Sequence, residues 1–292
     1  MHGWCCAVRR ARTGGHNMLK FAVIGYPVKH SKSPAMQLAG FQALGIDAIY
    51  EKVEVAPGEL PAVVKRFVDE GYSGWNITVP YKEEITPLVE VVGEEALAAH
   101  SVNTVVNRDG WLLGYSTDGY GVAQALRHDF GLTAQPARQV YLGAGGAARA
   151  AAVYAARHGA RHITLANRTA VNAARIAALI HSAAPECEVV VTSLADDVLR
   201  TALASAELVF QCTSLGLHSG DPVPVPPEWI PASTPVFDFV YTPSEFKDRL
   251  AAQGNCVSNG LEMLLQQGCK SFELWTGQQA PIAAMREGLY QQ

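Results

Sequence analysis

Short β-type runs alternate with helical stretches from Met18 onward, and this alternation constrains the fold more than any other feature of the sequence. Runs rich in apolar and β-branched residues fall at positions 21–24, 48–55, 74–79, 140–142 and 162–166. An Ala-rich helical stretch joins the last two of these runs. Such alternation is typical of an α/β chain with parallel sheets, because parallel neighbours need a crossover connection that is usually helical.

A hairpin and a linker interrupt the alternation. Residues 102–106 and 111–115 both have a β-type pattern, and Arg108-Asp109-Gly110 between them predicts a hairpin turn. The linker-like residues 131–136 come later, and the alternation restarts after them. A chain of 292 residues has room for about two domains of roughly 150 residues each. We therefore expect two domains.

The composition excludes several classes of protein. Hydrophobic residues make up 49% of the chain and charged residues 17%, which excludes a disordered or fibrous protein. The formal net charge is only −4, without a long run of either sign, so we expect neither nucleic acid nor a membrane as a partner. No apolar run approaches the roughly 18 residues that would span a bilayer.

The cysteines and histidines indicate a reducing compartment and no metal site. The six cysteines include no CxxC pair, and the nine histidines form no HxxxH or HExxH pattern. We therefore expect reduced thiols, a cytoplasmic location and no bound metal. Residues 1–17 lack the apolar region of a signal peptide and are interpreted as a flexible N-terminal extension, with a targeting segment as the alternative.

A glycine-rich turn marks a candidate nucleotide site. The turn comprises Gly143, Ala144, Gly145, Gly146 and Ala147, which follow a predicted strand, open a predicted helix and, with Ala148, match GxGxxG/A. Small residues let the backbone approach a pyrophosphate, and free N–H groups at the helix N-terminus attract its charge. The motif favours dinucleotide binding, although a turn that is merely tightly packed has the same composition.

The residues after the next predicted strand bear on the choice of cofactor. A site for NAD normally has Asp or Glu there, where the carboxylate binds the ribose 2′-hydroxyl. This chain has Asn167, Arg168 and Thr169 instead. A guanidinium and a hydroxyl attract a 2′-phosphate, so the residue types favour NADP. The alternative is that Arg168 is a solvated surface residue.

Polar side chains gather near predicted strand ends in the first half of the chain. Ser31 and Ser33 are expected to point the same way, because extended residues two apart share a face, and their hydroxyls would suit an anionic group. Alternation also puts Asn76 and Thr78 on one face of their strand. Lys82 follows just past its carboxyl end, the edge where open α/β sheets bind ligands.

Each of these features has an ordinary alternative. Ser33 suits the N-cap of the helix that Pro34 would open, and Lys82 alone could be a solvated lysine. In Thr117-Asp118-Gly119, Asp118 suits the N-cap of the helix that follows. Their common position at strand ends is what favours a binding site.

Several of these segments together resemble the shikimate dehydrogenase family. The matching segments, in the family's order and spacing, are Ser31-Lys32-Ser33-Pro34, residues 76–84, Val102-Asn103-Thr104, Ser116-Thr117-Asp118-Gly119, residues 143–148 and Asn167-Arg168-Thr169. The likeness extends from about Lys20 to the C-terminus. It implies an α/β fold with an N-terminal α/β substrate domain, a Rossmann-type dinucleotide-binding domain and a C-terminal helix that returns to the substrate domain.

The resemblance also implies boundaries and an activity. Residues 18–118 would form the substrate-binding catalytic domain, residues 119–258 the NADP-binding domain, and residues 259–292 a C-terminal helical segment packed on the substrate domain. The implied reaction is the reversible NADPH-dependent reduction of 3-dehydroshikimate to shikimate, in the pathway to chorismate and the aromatic amino acids.

Roles for single residues follow from the same resemblance. Ser31 and Ser33 would hold the substrate carboxylate, which the tyrosine at Tyr241 also approaches in the family. The substrate hydroxyls and ring edge would be bound by Asn76, Thr78, Asn103, Asp118 and Gln267. Met263 matches the residue beside the nicotinamide. Lys82 and Asp118 correspond to the catalytic pair, and the sequence leaves open which of them carries the proton.

Two departures from the family pattern keep alternatives open. Asn172 occupies the position where members that use NADP commonly have a second arginine, with Arg175 nearly one turn further on. Gln211-Cys212-Thr213-Ser214 replaces the more usual Asn-Ala-Thr. The alternatives are a quinate or quinate/shikimate dehydrogenase using NAD, a relative acting on an amino-substituted compound, and a non-catalytic sensor of a nucleotide and a small acid. The intact Lys82 and Asp118 speak against the sensor, and a monomer or a homodimer is expected.

Overall fold

The computed structural model describes residues 18–218 and 220–291, and it contains two six-stranded sheets with helices packed against them. The predicted extension, residues 1–17, lies outside the described residues. The predicted α/β class is confirmed. Within the ranges just given, no helix has both the length and the apolarity that crossing a membrane requires.

The first sheet is mixed. Its strands are β1 (Leu19–Gly25), β2 (Ala48–Glu54), β3 (Gly74–Ile77), β4 (Val91–Val92), β5 (Thr104–Arg108) and β6 (Trp111–Tyr115), in the order β2-β1-β3-β5-β6-β4. β1 is parallel to β2 and β3, whereas β5 is antiparallel to β3 and β6. The predicted hairpin is present, with positive φ at Asp109 (53°) and Gly110 (94°). So short a turn joins only antiparallel strands, and the predicted hairpin therefore accounts for the antiparallel pairing of β5 with β6.

Alternating side chains of β1 build two cores, one on each face of this sheet. Ala22 and Ile24 pack with α2 (Leu60–Asp69), whose buried Leu60, Val64 and Phe67 recur at helical spacing. Residues 21 and 23 point to the opposite face and pack with α1 (Ser33–Ala43). A short helix, α3 (Glu94–Ala99), precedes β5.

The second sheet is wholly parallel. Its strands are β7 (Arg138–Leu142), β8 (His162–Ala166), β9 (Glu188–Thr192), β10 (Leu208–Gln211), β11 (Val236–Asp238) and β12 (Val257–Asn259), in the order β12-β11-β10-β7-β8-β9. Its helices are α5 (Gly146–Arg157), α6 (Ala170–Ala183), α7 (Asp197–Ala204) and α8 (Glu245–Gln253). The strand order reverses between β7 and β10, and ligands bind at such a switch point in doubly wound sheets.

Three further α-helices complete the described chain. They are α4 (Asp118–Phe130), α9 (Leu261–Thr276) and α10 (Ile282–Tyr290). α4 approaches α9 so closely at Gly121 that a Cβ there would lie 2.8 Å from the Cβ of Gln267. α9 and α10 pack on α1, so the chain returns to the first sheet, as predicted.

The helix expected at 262–275 is present as α9, but the prediction that it is the final helix was wrong. Gly277, with φ of 68°, ends α9 in the left-handed conformation that favours glycine, and Pro281 immediately precedes α10. These stop and start signals divide the C-terminal segment into two helices.

Candidate active site

A cavity of about 330 Å³ lies where the carboxyl ends of β1 and β3 face the turn after β11 and the start of α9. Its lining includes every residue for which the sequence predicted catalysis or substrate binding: Ser31, Ser33, Asn76, Thr78, Lys82, Asn103, Asp118, Tyr241 and Gln267. Met263 lines the same cavity. Segments that are distant from one another in the chain therefore meet around one space.

Lys82 and Asp118 form an ion pair in this cavity. The lysine Nζ donates to Asp118 Oδ2 at 2.6 Å, and the side chains are 18% and 5% exposed. Lys82 lies in the turn after β3, where its carbonyl accepts from the N–H of Val102. Asp118 lies in the first turn of α4, where the helix dipole favours a carboxylate. The N-cap residue is Thr117, and Asp118 does not cap the helix through its side chain.

Asn103 fixes the other side of the carboxylate. Its Nδ2 donates to Asp118 Oδ1 at 2.9 Å, while its Oδ1 accepts from the backbone N–H of Thr117 at 2.8 Å. Both oxygens of Asp118 are thus engaged, one by an amide and one by an ammonium. The carboxylate has a defined orientation toward Lys82 as a result.

Buried polar side chains hold Asn76 by hydrogen bonds. Its Oδ1 accepts from the hydroxyl of Tyr50 at 2.7 Å, and its Nδ2 donates to Thr104 and Ser271, each at 3.1 Å. Burial raises the pKa of Tyr50, so the phenol stays protonated and remains a donor. Sequence reasoning missed Tyr50 and Ser271. A signal for Ser271 existed, because it lies one helical turn after Gln267 and therefore on the same face of α9.

The two serines follow the loop after β1. Ser31 Oγ accepts from the N–H of Ser33 at 3.3 Å, and Ser33 is 7% exposed. The expectation that Ser33 suits the N-cap was wrong, because α1 already includes Ser33 and its cap residue is Lys32. Lys32 itself makes no side-chain cap bond. His30 also lines the cavity, and sequence reasoning did not single it out.

The glycine-rich turn leaves room in front of α5. Gly143 has φ of 105°, and a Cβ there would lie 2.8 Å from the carbonyl carbon of Cys212, so only glycine fits without strain. At Gly145 and Gly146, by contrast, a Cβ would meet no atom within 4 Å. The N-terminus of α5 has no side-chain cap. Open space before uncapped N–H groups is the arrangement that a pyrophosphate needs, so the residues fit a dinucleotide.

Asn167, Arg168 and Thr169 lie just past β8. Asn167 Nδ2 donates to the carbonyl of Thr169 at 2.8 Å, which shapes the turn. Thr169 is the cap residue of α6, but its side chain makes no cap bond. Arg168 is exposed, and its guanidinium has no ion pair within the portion of the chain that the structure describes. A cation beside a helix N-terminus suits a phosphate.

The departure at Gln211 has a structural explanation. The residue is 1% exposed; its Oε1 accepts from Thr213 N at 2.7 Å, and its Nε2 donates to the carbonyl of Leu215 at 2.9 Å. Gln211 therefore shapes the turn after β10 from within, and nothing in its contacts bears on the choice of substrate.

An ion pair joins the two halves beside the lysine. Arg149 in α5 contacts Glu83 at 2.6 Å, and the arginine side chain is 12% exposed. Glu83 directly follows Lys82, so the helix that starts at the glycine-rich turn is linked to the segment that carries the lysine. Sequence reasoning did not single out Arg149 or Glu83. Among residues 18–218 and 220–291, no group of three or more His, Cys, Asp or Glu side chains could hold a metal ion.

Comparison with known proteins gives consistent matches. The family model described as the shikimate dehydrogenase substrate binding domain matches residues 23–105, and that of the shikimate 5′-dehydrogenase C-terminal domain matches residues 260–289. The shikimate dehydrogenase (NADP(+)) of Moorella thermoacetica is 41% identical over 267 residues, which is 90% of each protein.

Solved structures match over nearly the whole chain. Shikimate 5-dehydrogenase from Thermus thermophilus, in complex with NADP(H) and shikimate, is 32% identical, with a TM-score of 0.83 over 94% of this chain and 99% of that one. Quinate dehydrogenase from Corynebacterium glutamicum, in complex with NAD, is 27% identical, with a TM-score of 0.87 over 94% of this chain and 99% of that one.

Proposed function

The chain belongs to the shikimate dehydrogenase family, and on that premise we propose that it catalyses the reversible reduction of 3-dehydroshikimate to shikimate with NADPH. The observation that carries the proposal is the Lys82–Asp118 ion pair, which lies in one cavity with the hydroxyls of Ser31 and Ser33. A proton-transfer pair and a carboxylate-binding pair are what an acid with a reactive alcohol or ketone requires.

We further propose a division of labour along the chain. Residues 18–118 bind the substrate together with the C-terminal segment 259–292, and residues 119–258 bind the cofactor. The cavity supports this division, since Gln267 of α9 reaches the same space as the residues of the first sheet. Free thiols at Cys187, Cys212, Cys256 and Cys269 fit a reducing, cytoplasmic compartment, and we propose a monomer or a homodimer.

The substrate is held by its carboxylate and its hydroxyls. Ser31 and Ser33 donate hydrogen bonds to the carboxylate, and Tyr241 approaches it from the other side of the cavity. Asn76, Thr78, Asn103 and Gln267 bind the hydroxyls and the ring edge. Because Asn76 and Asn103 are already held by buried partners, they present fixed rather than mobile groups to the substrate.

Lys82 transfers the proton, and Asp118 orients Lys82. NADPH, when bound, supplies the hydride that reduces the carbonyl carbon. In that direction the ammonium of Lys82 donates a proton to the substrate oxygen, and in the oxidation of shikimate the neutral amine takes it back. Asp118 accepts the hydrogen bond of Nζ at 2.6 Å, which aims the lysine, and it accepts a second bond from the substrate hydroxyl.

The cofactor site uses backbone groups and one cation. The N–H groups at the start of α5 bind the pyrophosphate, in the space that Gly145 and Gly146 leave open. Arg168 and Thr169 bind the 2′-phosphate, which NAD lacks. Met263 packs beside the nicotinamide. These contacts support a preference for NADP, with NAD as the alternative cofactor.

A four-way comparison tests the proposal. The chain is assayed with shikimate or quinate, each with NADP⁺ or NAD⁺, and kcat/KM is measured for every pair. We expect the highest value for shikimate with NADP⁺. A higher value for quinate with NAD⁺ would identify a quinate dehydrogenase instead, and binding of both ligands without reduction of either cofactor would identify a sensor.

A further inference from the structure

The turn after β11 carries two side chains into the cavity, Phe239 and Tyr241, with Val240 between them. Both backbone polar groups of Val240 are bound by charged side chains. Its N–H donates to Asp238 Oδ1 at 2.8 Å, and its carbonyl accepts from the Nζ of Lys247. The backbone just before Tyr241 is therefore held by two hydrogen bonds, one at the N–H and one at the carbonyl of Val240.

The two charged side chains are buried beside each other. Asp238 ends β11 and is 1% exposed, and Lys247 Nζ lies 4.0 Å from its Oδ2 with a side chain that is 14% exposed. Lys247 is in the first turn of α8, and its N–H donates to the cap residue Ser244. Strand and helix thus bring opposite charges to the same turn from different directions.

Burial penalises both charges. It raises the pKa of Asp238 to about 6, although the N–H of Val240 and the charge of Lys247 act in the opposite direction. Burial also lowers the pKa of Lys247. Apolar residues of similar volume often stabilise a protein as well as a buried ion pair does. Stability alone therefore does not explain why this turn is held by charges.

Tyr241 depends on its backbone for its position. The residue is 43% exposed, and within the part of the chain that the structure describes its hydroxyl makes no hydrogen bond. A shift of the Val240 peptide would therefore move the hydroxyl, because no hydrogen bond to another described residue holds the hydroxyl in place.

We propose that Asp238 and Lys247 are positioning residues for Tyr241, which fix the direction of its hydroxyl over the cavity and thereby set the affinity for the substrate carboxylate. The inference rests on the proposed function, in which Tyr241 approaches that carboxylate. It predicts that both charged residues act on substrate binding through the tyrosine, rather than on hydride or proton transfer.

The pair also gives substrate binding a pH dependence. Asp238 faces Lys247 from α8 and the thiol of Cys212 from the end of β10, and Asp248 lies near Lys247. Burial raises the pKa of Cys212 well above its usual value, so this thiol stays neutral. When the pH falls through about 6, Asp238 takes up a proton and stops attracting Lys247. We expect the KM for shikimate to rise over that interval.

The test uses the full chain and a double-mutant cycle. Asp238→Asn, Lys247→Met and Tyr241→Phe are made singly, and each of the first two is combined with Tyr241→Phe; Lys247→Arg serves as the conservative variant. Lys65→Met and Asp69→Asn are the matched controls, because that Lys–Asp pair is 76% and 59% exposed on α2. The KM for shikimate, the KM for NADP⁺, kcat and the melting temperature are measured for each.

Each single substitution in the turn is expected to raise the KM for shikimate about tenfold, the effect of one lost hydrogen bond to a charged group. We expect kcat and the KM for NADP⁺ to stay within about twofold, Lys247→Arg to retain most of the affinity, and the controls to change nothing. In the Tyr241→Phe background, Asp238→Asn and Lys247→Met should add little further increase. The rise in KM below pH about 6 should be lost in Asp238→Asn.

Additive effects with Tyr241→Phe, or a lower melting temperature with an unchanged KM for shikimate, would overturn the positioning role. If Asp238→Asn does not fold, the pH dependence of the shikimate KM in the unaltered chain decides, and a flat profile between pH 5 and 7 contradicts the inference. Failure of the unaltered chain to oxidise shikimate would instead overturn the proposed function itself.

Discussion

Asp118 has two hydrogen-bond partners with different roles. Asn103 binds one carboxylate oxygen and ties it to the backbone of Thr117, while Lys82 binds the other oxygen and lies in the cavity. The amide side chain thus orients the carboxylate, and the carboxylate orients the ammonium. Orientation of this kind is what lets a proton-transfer group act at a single substrate oxygen.

Arg168 is expected to decide between the two cofactors. Arg168→Gln removes the cation beside the N-terminus of α6 and should lower kcat/KM for NADP⁺ by about 10- to 100-fold, since a hydrogen bond to a charged group contributes about 1.5–3 kcal/mol. The value for NAD⁺ should change less than about threefold, because NAD⁺ has no 2′-phosphate. Steady-state kinetics with both cofactors measure this ratio.

Arg175→Gln is the matched control for Arg168→Gln. Arg175 is also exposed, but it lies within α6 rather than at its start. We expect a much smaller effect on NADP⁺ than at Arg168. An equal loss for NADP⁺ and NAD⁺ in Arg168→Gln would show that the arginine does not read the 2′-phosphate.

Single residues differed in how well the sequence predicted them. The motifs located Lys82, Asp118, Ser31 and Ser33 in one cavity, because their spacing relative to strand ends is local information. Tyr50 and Ser271 belong to the same network but were missed, since their partners come from strands and helices distant in sequence. The cap role of Ser33 was mispredicted because the helix begins one residue early.

Two glycines in the turn between β7 and α5 are expected to have different roles. Gly143 is needed for stability, whereas Gly145 is needed for cofactor binding. Gly143→Ala should destabilise the protein and lower its melting temperature, because the residue has φ of 105° and a Cβ would meet the Cys212 backbone. Gly145→Ala should leave the melting temperature unchanged, because φ is −88°, ψ is −173° and the space around a Cβ is open.

The same open space is where the pyrophosphate is expected. Gly145→Ala should therefore raise the KM for NADP⁺ about tenfold or more without loss of stability, and the KM for shikimate should change little. Thermal unfolding and steady-state kinetics of the two glycine variants provide the comparison. An unchanged KM for NADP⁺ in Gly145→Ala would place the pyrophosphate elsewhere.

Helices and strands were predicted best where the hydrophobic pattern of the sequence was regular. β8 and β10 lie at the residues expected, because buried parallel strands form short apolar runs. The parallel pattern expected of the chain as a whole ends at the predicted hairpin, where β5 and β6 are antiparallel, and α10 was missed as a separate helix. In both cases a turn, rather than the hydrophobic periodicity, determined the direction of a strand or the end of a helix.

At the scale of the molecule, α9 and α10 return the chain to the first sheet, and an ion pair between a buried glutamate and a partly exposed arginine joins them. Glu262 of α9 is 4% exposed and accepts hydrogen bonds from Arg286 of α10 and from Gln266. Burial alone would raise the pKa of Glu262, but these hydrogen bonds and the charges of Arg286 and His128 hold it below the usual value.

The substitution Glu262→Gln tests whether this ion pair stabilises the protein. A carboxylate whose folded pKa is lowered stabilises the protein above the unfolded pKa, and this stabilisation is lost as the pH falls through the folded pKa. We expect the variant to lose about 1–3 kcal/mol of stability at pH 7, with the difference from the unaltered chain shrinking below pH about 4.5. Urea unfolding at pH 7 and below pH about 4.5 measures this difference in the free energy of unfolding.

Glu94→Gln is the control for this effect, because Glu94 is 89% exposed in its ion pair with Arg157 and should contribute little. A difference at pH 7 no larger than that of Glu94→Gln would contradict a stabilising role for the ion pair of Glu262 and Arg286. How the C-terminal segment returns to the first sheet followed from the resemblance alone, since hydrophobic periodicity does not specify which distant helix a given helix contacts.

The most direct test of the account is kcat for shikimate oxidation in Lys82→Ala, Asp118→Asn and the double variant, with the KM for NADP⁺ measured alongside. We predict that Lys82→Ala lowers kcat by about 100-fold or more, as loss of a positioned acid–base group does, with little change in the KM for NADP⁺. The double variant should be little worse than Lys82→Ala, because the two residues act as a unit. Turnover near that of the unaltered chain in Lys82→Ala would contradict the assignment of this pair as the catalytic centre.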